Sequence, residues 1–189
     1  NELQMEKKAF AIGVRMEHPQ QWIDENQYGA CSSLLPAADY KLTYTTQEGR
    51  GVYSFCMCPG GFVVNASSEE KRLVVNGMSN HDRSEKNANS ALIVTVTPED
   101  FAAEGFEGPL AGMQFQRKWE EAAFNAGNGK IPMQLFGDLL SDKKSATIGE
   151  IVPNTKGAWA YANLNECLPT YILDSLKEGI LAFDKKIPG

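Results

Sequence analysis

The chain has 189 residues, 42% of them hydrophobic and 22% charged, with a net charge of −6. That length fits one large domain or two small ones, and the composition is ordinary for a globular protein with an adequate core. The 18 Lys and Arg are scattered, without the basic stripe a nucleic-acid partner requires, and no run reaches the ~20 apolar residues that span a bilayer.

No basic, apolar and small-residue leader pattern opens the chain. The four cysteines, Cys31, Cys56, Cys58 and Cys167, form no disulfide framework, so a reducing, cytoplasmic setting is expected. The sequence opens at Asn1-Glu2-Leu3 without a methionine and stops at Ile187-Pro188-Gly189 directly after a helical pattern. Both ends are expected to be internal to a longer polypeptide.

Residues 9–16 form a compact apolar run that reads as a strand, ended by His18-Pro19. Gln20 to Gln27 reads as a short helix with Trp22 and Ile23 inward, followed by a polar loop to Ala38. Tyr40 to Thr46 alternates, and Gln47-Glu48-Gly49 is a hairpin turn. Residues 51–58 and 61–66 read as the next strand pair. Leu73–Val75 and Leu92–Val96 are two further β-branched runs, separated by a polar loop from Ser79 to Ser90.

From Pro98 the pattern turns helical. Pro98-Glu99-Asp100-Phe101 places Pro and acids where a first helical turn favours them. Leu110 to Ala126 carries Phe115, Trp119, Ala122, Ala123 and Ala126 on one stripe, with Gly127 as a stop. Pro132 to Leu140 reads as another short helix. Leu168, Ile172, Leu176, Ile180, Phe183 and Ile187 form a single apolar seam at spacings of three and four. The expected class is therefore α+β: an antiparallel sheet or small barrel in residues 1–97, then a helical part of the same domain in 98–189.

The chemistry concentrates in Ser54-Phe55-Cys56-Met57-Cys58-Pro59-Gly60-Gly61. Strand alternation puts Cys56 and Cys58 on one face, about 6.6 Å apart, a poor geometry for a disulfide. Two thiolates are half of a structural zinc set, and His18, His81, Cys31 and Cys167 lack paired spacing, so no metal site is expected. Buried cysteines also serve simply as small hydrophobes. Pro59-Gly60-Gly61 presets a tight turn and leaves bare backbone that a planar ligand can approach, or else merely closes a hairpin.

Several motifs together resemble the middle of large bacterial FAD-dependent (NAD(FAD)-utilising) dehydrogenases. They are Ala11–Gln20, Ser54–Gly61, Val64–Glu69, Val75–Ser79, Asn87–Ala91, Val94–Phe101, Gly129–Pro132 and Asn163–Pro169, in one order over nearly the whole chain. The loop Asn80–Lys86 departs from that pattern. The resemblance implies a segment inserted between parts of a dinucleotide-binding fold, with FAD gripped by a Gly-rich turn before Asn1 and a second stretch after Gly189. No G-x-G-x-x-G occurs in the chain itself.

The expected function is thus a substrate-side lid of an FAD-dependent oxidoreductase, inactive and without cofactor when isolated. Its partner is the FAD-binding remainder of the same polypeptide, with no nucleic acid and no membrane. In this reading Cys58, Pro59, Gly60 and Gly61 meet the edge of the flavin or the substrate. Arg83, Asn87, Asn89 and Ser90 are candidate substrate contacts, with Asn76 beside them, though such short polar groups also serve as ordinary turn chemistry. Cys56, Cys58 and His81 are the candidate catalytic groups, and activation of a thiol would need a cation such as Arg50 or Arg83. The alternative is a self-standing binding or protein-interaction module.

Overall fold

A computed structural model describes residues 5–187. The segments expected to be internal ends, Asn1–Leu3 and Pro188–Gly189, lie outside the described residues.

The first strand, β1 (Phe10–Pro19), runs three residues further than its apolar pattern, through Glu17, His18 and Pro19. It pairs antiparallel with β6 (Asn87–Val96), which pairs with β3 (Gly51–Cys58), which pairs with β2 (Thr43–Thr45). A second sheet joins β5 (Val75–Ser79), β4 (Gly61–Asn65) and β8 (Thr155–Lys156); a parallel pair joins β7 (Ile131–Met133) and β9 (Trp159–Tyr161). The helices are α1 (Gln20–Tyr28), α2 (Pro98–Ala103), α3 (Ala111–Ala126), α4 (Phe136–Leu140) and α5 (Thr170–Asp184). The fold is α+β, with a mainly antiparallel first half and helices concentrated in the second. Among the described residues no helix is long and apolar enough to cross a membrane.

The core lies between one face of the four-stranded sheet and the helices. Period-two alternation sends Val52 of β3 and Leu92, Val94 and Val96 of β6 to that face, where they meet Phe101, Phe115, Ile172, Leu176 and Ile180. The seam of α5 is buried as its spacing requires. Helix α2 starts in a capping box, Thr97 with Asp100, where Pro98 sits in the first turn. The opposite sheet face packs in part against the second sheet through β4 and β5.

Four expectations are corrected. Strands β3 and β4 do not form a hairpin: the Pro-Gly-Gly turn passes the chain from the first sheet to the second. The polar stretch Asn87–Ser90 is the buried start of β6, not loop. Residues 131–140 split into β7 and α4, and Trp22 is 36% exposed while Ile23 alone of the pair is buried.

Candidate functional site

The thiol strand carries a β-bulge between Phe55 and Cys58, where Cys56 adopts a left-handed φ of 51°. A bulge inserts an extra residue and shifts the side-chain phase. Up to Phe55 the even residues of β3 face the core; beyond the bulge Cys58 pairs with Asn89, on the opposite face. Cys56 and Cys58 therefore do not share a face, against the expectation from alternation. Cys56 is exposed and Cys58 buried, and both are free thiols.

Arg15 of β1 organises this end of the sheet. Its Nη1 donates to Asn89 Oδ1 and lies 3.7 Å from Cys58 Sγ, while Nη2 donates to the Cys56 carbonyl at 3.0 Å. Gly77 of β5 lies directly above: a Cβ there would collide with the Arg15 guanidinium and the Asn89 amide. Only glycine lets the second sheet close over the cluster. Asn89 is fully buried, and its Nδ2 has no partner among the described residues. Burial pushes the Cys58 thiol up, outweighing the lowering by Arg15, so Cys58 stays protonated at neutral pH. Its Sγ lies 3.4 Å from the Cys56 carbonyl, as donor to it.

The Pro59-Gly60-Gly61 turn is buried rather than bare. Gln20 Oε1 accepts from Gly60 N at 2.7 Å, Ser79 Oγ donates to Pro59 O at 2.6 Å, and Asn154 Nδ2 donates to Gly61 O at 3.1 Å. The Glu85 N–H reaches Gly60 O at 3.3 Å. Gly60, at φ 45°, has the Arg83 carbonyl where a Cβ would be. Since these backbone groups already have partners, a ligand at the turn meets it by packing and not by hydrogen bonding. Glu17 anchors the far side, accepting from Asn154 N at 2.8 Å and Thr155 Oγ1 at 3.1 Å.

The structure thus brings together Cys56, Cys58, Pro59, Gly60, Gly61, Asn89 and the Arg83 backbone. Asn87 lies nearby but donates to Val152 O at 2.9 Å. Ser90 is buried on the opposite, core-side face, where it lies by Tyr40. Asn76 of β5 turns its Oδ1 back to Gly77 N at 2.9 Å, and His81 stands on the exposed loop. Arg50 is elsewhere, paired with Asp100 at 2.7 Å and stacked on Tyr171. The cation beside the thiols is Arg15, which the sequence reading passed over. Its signal was there: Arg15 and Glu17 interrupt an apolar strand at alternate positions, and so face away from the core.

A second missed group is His18, which shares a 2.7 Å hydrogen bond with the Tyr40 hydroxyl. Burial lowers the His18 pKa to about 4 and raises that of Tyr40 to about 12, so both are neutral near pH 7. Two exposed apolar side chains border the site, Phe55 at 61% and Met78 at 45%. Among the described residues no group of three or more His, Cys, Asp or Glu converges as a metal would need.

A family model described as "FAD-dependent protein, C-terminal domain-like" matches residues 9–189. An uncharacterized protein of Clostridium beijerinckii is 56% identical over 190 residues, which cover 98% of this chain and 35% of that protein. The chain spans about a third of the length of this relative.

Proposed function

This chain belongs to the FAD-dependent protein C-terminal domain-like family, and from that premise we propose that it is the substrate-side domain of an FAD-dependent oxidoreductase. It closes over a flavin held by polypeptide outside these residues, and residues 1–97 and 98–189 are its β-rich and helical parts around one core. Bound FAD supplies the redox chemistry. This chain supplies position, charge and exclusion of water.

The observation that carries the reading is the Arg15–Asn89–Cys58 cluster behind the exposed Phe55-Cys56 bulge. The Arg15 guanidinium fixes a positive charge behind that surface, which suits the electron-rich N and O edge of an isoalloxazine, and the Asn89 Nδ2 N–H is a buried donor without a partner among the described residues. Phe55 and Cys56 form the surface that meets the ring or the substrate. Cys58, Pro59, Gly60 and Gly61 stand directly behind it as a rigid backing. Arg83 and His81, on the exposed loop, are placed to meet an incoming substrate, while Asn87, Asn89 and Ser90 hold the strand beneath. Cys58 acts as a protonated donor and not as a nucleophile, because burial keeps its proton on. The free thiols also suit a reducing, cytoplasmic compartment.

The test uses the full-length protein. Phe55→Ala removes an exposed side chain that the core does not use, so stability is retained. The expected outcome is stoichiometric FAD whose fluorescence becomes more accessible to iodide quenching than in the parent. FAD bound with unchanged quenching, or no FAD bound at all, contradicts the reading.

A further inference from the structure

Strand β1 is ten residues long, about 33 Å of extended chain. It stands at the end of its sheet, with β6 on one side only. Among the described residues, β6 is the only strand paired with β1, and no turn or loop backbone hydrogen bond reaches residues 10–18. Its outward N–H and C=O groups open instead onto a cavity of about 870 Å³. Consecutive residues from Phe10 to His18 line that cavity, so it wraps both faces of the strand. Its other walls include Leu73, Val75, Ile131 and Phe183. Four exposed apolar side chains also line it: Trp22, Val74, Leu135 and Leu181, between 36% and 46% exposed.

The occupant must satisfy two demands at once. A small apolar ligand would fill volume but strip water from the strand's outward polar groups without replacing it, which is costly. An added strand supplies matching N–H and C=O groups, and its side chains alternate to the same two faces that the cavity wraps. Left bare, a long edge of this kind is a template for aggregation. A second copy is disfavoured by the net charge of −6 on each chain. The matched relative carries almost two thirds of its length outside the shared segment, ample chain to provide a strand.

We propose that the outer edge of β1 receives an extended segment of the same polypeptide from outside residues 1–189, which joins the sheet as an additional strand with apolar side chains toward Phe10, Ile12, Val14 and Met16. This rests on the reading of the chain as one part of a larger FAD-dependent polypeptide. It turns the sheet edge into the joint between the parts.

Hydrogen exchange resolved to single amides in the full-length protein tests it. Outward amides of Phe10–His18 are expected to match the protection of the inward amides bonded to β6, without the orders-of-magnitude loss of a free edge. A benzophenone amino acid placed at Ala11 of the full-length protein is expected to crosslink to a peptide of the same polypeptide beyond this segment. Rapid exchange at alternate residues overturns the proposal, as does a crosslink joining two copies. The flavin-quenching result is independent: protected outward amides with unchanged quenching keep the joint and discard the flavin cover, and the reverse keeps the cover and discards the joint.

Discussion

The two edges of the four-stranded sheet are treated in opposite ways. Strand β2 is three residues long and is fastened by α5. Lys186 Nζ donates to the Thr43 carbonyl at 2.9 Å, and Glu178 accepts from the Tyr44 hydroxyl at 2.8 Å and Gln47 N at 2.9 Å. Strand β1 has ten residues, a free outer ladder and an apolar cavity beside it. A short edge held by charged side chains is closed to pairing, whereas a long apolar one invites it. The fold therefore has a finished side and an unpaired side, and the polar cluster of Arg15 lies on the second.

Acid should attack the β1 side first. His18 titrates near 6.5 in an unfolded chain but near 4 in the fold, because burial penalises its charged form. Between those values the unfolded chain holds more protons, so stability is full above pH 6.5 and declines as pH falls toward 4. The expected loss is on the order of 3 kcal/mol. Urea unfolding at pH 7 and 4.5 should show His18→Gln losing less than the parent, and equal losses would refute the assignment. Gly77→Ala forces a methyl onto Arg15 and Asn89 and should cost about 1–3 kcal/mol. A Gly77→Ala midpoint like the parent's would mean the cluster is not tightly packed. On the finished side, Glu178→Ala removes one part-buried and one exposed hydrogen bond and should cost only about 1 kcal/mol. A larger loss there would erase the contrast between the edges.

What the sequence disclosed follows from how far each signal reaches. The α5 seam was legible because Ile172, Leu176, Ile180 and Phe183 repeat at helical spacing toward a single core. Five of the six strands of the first half were legible as runs, because β-branched alternation is a local property; β5, read at residues 73–75, runs instead over Val75–Ser79, where Asn76 and Gly77 break the apolar pattern. Their partners were not. Pro59-Gly60-Gly61 announces a change of direction but cannot say that β3 and β4 enter different sheets. The bulge at Cys56 was also hidden, since a non-glycine residue at φ 51° has no local signature. With it went the true placement of Cys58, and the role of Arg15, which exists only once β1, β3 and β6 lie side by side. Asn87, Asn89 and Ser90 read as loop because polarity is normally exposed, yet tertiary contacts bury all three.

The most direct measurement is the midpoint potential of FAD in the full-length protein and in its Arg15→Gln variant. A fixed cation beside the flavin favours the electron-rich reduced form, so its removal should lower the potential by on the order of 30 mV, the two-electron equivalent of about 1.4 kcal/mol. An unchanged potential, with FAD still bound in full, would show that this cluster does not face the cofactor.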